Sequence, residues 1–228
     1  MSYISRGLLP SRRDLGHEEV ELLKGTTTIG IKCVDGIVIA SDRRASMATF
    51  IASKRAHKTI KISDRVVATI SGSVADGQFL TNNLKAVAKL YELEFGRAMS
   101  VRAIARRLAL ILWSYRPMVL IAHIMVGGVD ETGSHLFNVD PLGTLTEEDF
   151  IATGSGSPVA ISVIEEQYNP EMKVEEGKKL VISAMLSALE RDMATGNGID
   201  VTVVDERGVH FLEEKEIQDL IEKVKTIR

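Results

Sequence analysis

The chain is 228 residues long, 45% hydrophobic and 26% charged, which is ample for a sizeable core and ordinary for a globular protein. Its net charge of −3 and pI of about 6.0 give no sign of the basic excess that nucleic-acid partners select. The longest apolar runs, residues 108–113 and 119–126, are far short of the ~20 residues that cross a bilayer.

The single cysteine, Cys33, excludes a disulfide framework within the chain and suits a reducing cytoplasm. Residues 1–25 are polar, carry Arg6, Arg12, Arg13 and Lys24, and hold no apolar stretch of signal-peptide length. A loose chain end and a removable pro-segment both fit this composition. Residues 26–34 are rich in β-branched side chains and alternate as a strand does. Asp35-Gly36 is a hairpin turn signal, and residues 37–42 return as a second strand. Residues 58–63 alternate, turn at Asp64-Arg65 and continue into a strand over 66–71.

The period then changes. Leu80, Leu84, Val87, Ala88, Tyr91 and Phe95 recur at helical spacing, with Gly96 as the stop. Ser100 caps a second predicted helix, whose stripe is Ile104, Ala105, Leu108, Ile111, Leu112 and Tyr115 and which closes before Pro117. Strands resume at 119–126, apolar enough for burial on both faces, and at 135–139 and 150–153, with a turn at Asp140-Pro141-Leu142-Gly143. A helix opens near Pro158 and another spans 174–194, ending at Gly196-Asn197-Gly198. Residues 199–204 and 209–212 pair around Glu206-Arg207-Gly208, and an amphipathic helix over 215–225 completes the pattern. Runs of strands separated by helix pairs predict antiparallel sheets covered by helices. The fold class is α+β, a four-layer α-β-β-α sandwich with two stacked antiparallel sheets, and residues 26–228 form one domain without repeat or linker.

Several chemistries lack their motifs. There is no G-x-S-x-G elbow, and Gly177-Lys178-Lys179 lacks the rest of a phosphate-binding loop. His17, His57, His123, His135 and His210 show no metal-ligand spacing. Gly154-Ser155-Gly156-Ser157 is half of a dinucleotide fingerprint, with Val159 where the third glycine belongs. Cys33 sits mid-strand without an activating base, so packing is its role. No cofactor and no metal are expected.

Gly25-Thr26-Thr27-Thr28 opens the first strand. Threonine favours strands, so the run alone is unremarkable. A chemical alternative is specific. A threonine hydroxyl is a weak nucleophile without a base. Cleavage of Gly25–Thr26 would free an α-amine beside that hydroxyl, with a pKa of roughly 7.7–8.0. Nucleophile and base would then share one residue. A pro-segment would mask the amine, and Gly25 would leave the scissile carbonyl unhindered.

Gly25-Thr26-Thr27-Thr28, Ser41-Asp42-Arg43-Arg44-Ala45-Ser46, Lys58, Ser71-Gly72-Ser73, Gly154-Ser155-Gly156-Ser157 and Arg191-Asp192 follow one another in the chain. Together they resemble the proteasome β subunits, in particular the archaeal type, over about residues 25–215. The resemblance implies roles residue by residue. Thr26 matches the nucleophile, Lys58 the lysine near its hydroxyl and Asp42 the carboxylate partner of that lysine. An ammonium there stabilises a developing alkoxide. The Gly72 backbone N–H matches the oxyanion donor, and Ser155 and Asp192 match the pair that orients the α-amine. Thr195 stands where the family often has serine and keeps the hydroxyl. Ser46 stands where threonine is common, and its backbone would hold substrate as a strand.

By the same resemblance, Ala45, Ala56, Ile60, Ile70 and Val74, beside Ser46, line the first substrate pocket. Their apolar character predicts cleavage after hydrophobic residues. The implied enzyme is a threonine endopeptidase degrading unfolded proteins in the cytoplasm. Its implied partners are proteasome α subunits and other β subunits in stacked seven-membered rings, and an unfolding ATPase. Residues 1–25 become the cleaved pro-segment, with Gly25 and Thr26 as the processing site. Three alternatives stay open: a β-type subunit that remains unprocessed or structural unless a second β subunit joins it, a binding domain using residues 154–157 as an anion cradle, and the two-ring bacterial protease, which begins almost directly at its threonine.

Overall fold

A computed structural model describes residues 26–47 and 50–227. The predicted pro-segment, including Gly25, lies outside the described residues. Among the described residues, twelve strands and five helices follow in the order β1 (Thr27–Cys33), β2 (Gly36–Asp42), β3 (Ala45–Met47), β4 (Phe50–Ser53), β5 (Thr59–Ser63), β6 (Val66–Gly72), α1 (Val74–Phe95), α2 (Val101–Ser114), β7 (Ala122–Asp130), β8 (Gly133–Val139), β9 (Leu145–Glu147), β10 (Phe150–Gly154), α3 (Ser157–Gln167), α4 (Val174–Arg191), β11 (Ile199–Asp205), β12 (Gly208–Phe211) and α5 (Glu214–Ile227).

Two five-stranded sheets, ordered β10-β1-β2-β11-β12 and β5-β6-β7-β8-β9, are antiparallel throughout. Strand alternation decides what lies between them. In β1 and β2, Ile29, Ile31, Val38 and Ala40 face α3 and α4, in a core that includes Ala160, Val181 and Met185. Ile37 and Ile39 face the other way and meet Val67, Met125 and Leu136 of the second sheet. The outer face of the second sheet, with Ala68, Ile124 and Val126, packs on Leu80, Leu84, Ile104 and Leu108 of α1 and α2. Three apolar seams thus hold four layers, as the patterning predicts. Cys33 is buried in the first of these seams, and burial beside Asp35 and Glu176 pushes its thiol up to about 12.

The helix ends obey local chemistry. The Ser73 and Ser100 side chains accept the N–H groups of Asp76 and Ala103, and Gly96 closes α1 in the left-handed region. Four features depart from the sequence expectation. The β3–β4 hairpin departs from the expectation because both strands are very short and β4 is exposed throughout, so neither presents an apolar face to read. The three-residue edge strand β9 also gave no signal. Strand β7 begins at Ala122 rather than 119, three residues late, the Ile121 N–H being taken by the Asp76 carboxylate instead of a strand partner. Helix α4 stops at Arg191, three residues early, because Asp192 leaves helical geometry and its carboxylate accepts the Ala194 N–H.

Candidate active site

Thr26 sits at the mouth of the first sheet, 6% exposed, with the ends of β2, β6 and β10 around it. Two hydrogen-bonded groups flank it. The first is centred on Asp42, the last residue of β2 and wholly buried. Its Oδ1 accepts the Thr27 N–H at 2.8 Å and Lys58 Nζ at 2.5 Å. Its Oδ2 accepts the Arg44 N–H at 3.0 Å and the Gly196 N–H at 3.1 Å. A buried carboxylate persists only with such compensation. Lys58 immediately precedes β5, and its carbonyl accepts the Ile70 N–H, which ties it to β6. Only 7% of its side chain is exposed. Burial pushes the Lys58 ammonium below the ordinary lysine range, against the upward pull of Asp42.

The second group gathers the loop after β10 and the end of α4. Ser155 Oγ donates to Asp192 Oδ2 at 2.6 Å and lies 3.4 Å from the Thr26 nitrogen and 3.3 Å from its carbonyl oxygen. Thr195 Oγ1 donates to the same Asp192 oxygen. Thr27 Oγ1 lies 2.6 Å from Thr195 Oγ1 and accepts the Gly156 N–H at 3.1 Å. Gly154 carries φ +93°, and a Cβ there would lie 1.9 Å from the Thr26 carbonyl oxygen. Glycine is what lets the loop pass so close to the threonine. The Gly156 N–H that an anion cradle would need is taken by Thr27, which counts against the binding-domain alternative.

A cavity of about 290 Å³ opens beside Thr26. Ala45, Ser46, Ala56, Ile60, Ile70 and Val74, the six positions named from the sequence, all line it, together with Thr26, Lys58 and Gly72. Gly72 ends β6 at φ +107°, where a Cβ would meet the Ile121 carbonyl at 2.5 Å. The chain then enters α1, so the positive end of that helix adjoins the cavity. A larger, charged cavity of about 1000 Å³ is lined by Lys61, Arg65, Lys89, Arg97 and Asp130 and includes none of these residues. Among the described residues no group of three His, Cys, Asp or Glu side chains is placed to hold a metal. No helix among them is long and apolar enough to cross a membrane.

The sequence reading missed several participants. Ala52, His57 and Gln78 also line the cavity. Ala52 belongs to the unforeseen hairpin. Gln78 is one helical turn beyond Val74, so helical spacing could have found it. Arg44 reaches Asn197 Oδ1 at 2.8 Å and the Met193 carbonyl at 2.6 Å, binding the β2 exit to the segment after α4. Arg43 pairs with Asp200 and Glu214, and Asp200 also holds His57 Nδ1 at 2.8 Å.

Comparison with known proteins adds an independent finding. A family model described as "Proteasome subunit" matches residues 22–204. The chain is 61% identical over 203 residues to Proteasome subunit beta 1 of Korarchaeum cryptofilum (strain OPF8), covering 89% of this chain and 98% of that protein. It is 47% identical over 203 residues to Proteasome subunit beta of Methanothermobacter thermautotrophicus, covering 89% and 97%. It is 41% identical over 206 residues to Proteasome subunit beta of Archaeoglobus fulgidus, covering 90% and 97%.

Proposed function

The chain belongs to the proteasome subunit family, as a β subunit of the archaeal type, and from that premise we propose that it is a threonine endopeptidase, activated by cleavage of Gly25–Thr26, that cuts unfolded proteins after hydrophobic residues. Membership in the family carries assembly into the proteasome core with other subunits. The observation that supports the catalytic reading is the convergence on Thr26 of the Asp42–Lys58 pair and the Ser155–Asp192–Thr195 group beside one apolar cavity.

In the processed chain, Thr26 Oγ1 attacks the scissile carbonyl carbon and its proton passes to the freed α-amine. The carbonyl oxygen becomes an oxyanion facing the Gly72 N–H, a donor whose loss costs about 2.7–4 kcal/mol in comparable sites. The protonated amine then gives its proton to the leaving nitrogen as the C–N bond breaks, leaving an ester on Thr26. Water attacks that ester with the amine again as base, and the acid departs. Lys58 keeps a positive charge beside the alkoxide, while Asp42 fixes the lysine. Ser155 and Asp192 hold the amine. Before cleavage the Thr26 nitrogen is an amide and cannot serve as base, so the first cut needs another acceptor, and the buried Lys58 lines the same cavity. Residues 1–25 act as the pro-segment and 26–228 as the mature domain. Ring partners are α subunits and sister β subunits in seven-membered rings, served in the cytoplasm by an unfolding ATPase.

Intact mass tests the reading. The chain produced with its cognate α subunit loses residues 1–25 and presents Thr26 as a new N-terminus. A full-length mass in the assembled particle would favour the structural-subunit alternative. Gly154→Ala supplies a second check. Its methyl group must displace the Thr26 carbonyl, and misplacement of a nucleophile by about 1 Å lowers kcat by ~100-fold. Peptide hydrolysis at the wild-type rate would show that the β10–α3 loop does not position Thr26.

A further inference from the structure

Given Thr26 as the nucleophile, on which this rests, we propose that Thr27 is a positioning residue whose side-chain hydroxyl orders the group that holds the Thr26 nitrogen. The residue is wholly buried. Its backbone N–H donates to Asp42 Oδ1, the same oxygen that takes Lys58 Nζ. Its side chain points into the other group. Thr27 is thus hydrogen-bonded directly to both halves of the site, through its backbone to one and its side chain to the other.

The directions of these bonds follow from counting protons. A carboxylate accepts only, so the Thr195 hydroxyl spends its single proton on Asp192 Oδ2. It must therefore accept in its 2.6 Å contact with Thr27 Oγ1, and the Thr27 hydroxyl donates. Thr27 Oγ1 in turn accepts from the Gly156 N–H. The order is Gly156 N–H to Thr27, Thr27 to Thr195, Thr195 to Asp192. Ser155 also gives its proton to Asp192 at 2.6 Å, which leaves its lone pairs for the Thr26 nitrogen at 3.4 Å. A backbone amide at one end and the reacting residue's nitrogen at the other are joined by four side chains, each with a defined role. Threonine at 195 restricts rotation about χ1 more than serine would, so its donor to Asp192 and its acceptor for Thr27 are held in register.

Thr27→Val keeps the volume and β-branching but removes the hydroxyl. Thr195 loses its donor, and the Gly156 N–H is stranded in the interior. Asp192 and Ser155 then lose their fixed orientation, whereas the Asp42–Lys58 pair, held through the Thr27 backbone, remains. The substrate cavity does not include Thr27.

The experiment uses the full chain assembled with its α subunit, comparing wild type with Thr26→Ala, Thr27→Val, Thr27→Ser, Thr195→Val and the Thr27→Val/Thr195→Val double variant. Intact mass counts mature chains, and kcat is taken per mature chain. Thr27→Val is expected to lower kcat by ~10–100-fold with KM within about twofold, and Thr27→Ser to restore it. Thr195→Val is expected to match Thr27→Val, and the double variant to be no worse than either, since both break one chain. If Thr27→Val does not assemble, Thr195→Val reads the same chain from its other end: wild-type kcat there overturns the proposal, and a kcat-selective loss supports it. Wild-type kcat in Thr27→Val, no rescue by serine, or multiplied effects in the double variant would overturn it. Hydrolysis surviving in Thr26→Ala would instead overturn the nucleophile reading. An inactive Thr26→Ala beside an unaffected Thr27→Val would sink this inference alone.

Discussion

Thr26→Ala eliminates peptide hydrolysis by the assembled particle while the subunit still folds. The expected loss is on the order of a million-fold in kcat, the scale seen when a covalent nucleophile is removed. Alanine keeps the backbone nitrogen and therefore every contact of that atom, including its approach to Ser155. Thr26 precedes the first strand and lies outside the three apolar seams, so the melting temperature should move by only a few degrees. Intact mass should show residues 1–25 retained, because the same hydroxyl performs the first cut. Thr26→Ser retains hydroxyl and amine, so it should be processed and retain part of the rate. Hydrolysis of a peptide with a hydrophobic residue before the cut, followed by fluorescence, measures all three proteins. Activity in the alanine variant above about 1% of wild type would require a nucleophile other than Thr26, since background catalysis lies far below that level.

Much of the layering was legible because it depends on period alone. The alternation in residues 28–40 places Ile29 and Ile31 toward the helices, and Ile37 and Ile39 toward the second sheet. The spacing from Leu80 to Ala88 specifies the buried face of α1, whereas Phe95, at the end of the same stripe, is exposed. Ser100 and Gly96 marked helix ends that the structure reproduces, while the Ser73 cap of α1 was not read from the sequence. What escaped had no period to read. The β3–β4 hairpin exposes Phe50 and Ile51 and draws its form from pairing rather than burial. The early end of α4 follows from the Asp192 carboxylate accepting the Ala194 N–H and the Thr195 hydroxyl just beyond it, and only the fold adds Ser155 to that carboxylate from 37 residues away. The same holds for the site. Thr26, Asp42 and Lys58 could be named because they match a pattern at family spacing. Thr27 could not, because the middle residue of a three-threonine run looks like any strand residue until Gly156 and Thr195 are seen on either side of its hydroxyl. Arg44 was visible as half of an arginine pair, but only the fold brings Asn197 and Met193 to it.

Asp42→Ala removes both activity and stability, and its pH dependence separates two causes. The carboxylate takes four donors, and three of them are backbone N–H groups of Thr27, Arg44 and Gly196. The fourth is the Lys58 ammonium, whose side chain is only 7% exposed. Removing one partner of a buried pair costs about 3–5 kcal/mol, because the stranded charge has neither water nor counter-ion. In the wild type, burial already lowers the Lys58 pKa, and Asp42 opposes that fall. Without Asp42 it falls further. The folded variant therefore binds fewer protons than the unfolded chain, whose lysine titrates near 10.4. Stability must then rise as pH climbs through the folded-state pKa of Lys58 toward that value, and be lowest below it. Wild type shares the sign with a smaller slope, so the gap between the two proteins narrows as the solution becomes alkaline. Urea unfolding of the unassembled chain at pH 7 and pH 9.5 reads this directly. A constant gap would mean that the lost backbone hydrogen bonds, not the stranded ammonium, carry the effect. A gap below about 1 kcal/mol at both pH values would mean that Lys58 reaches solvent along its own stem. In that event the ammonium would no longer stand beside Thr26, and the loss of peptidase activity would be attributable to a displaced lysine rather than to an unfolded site.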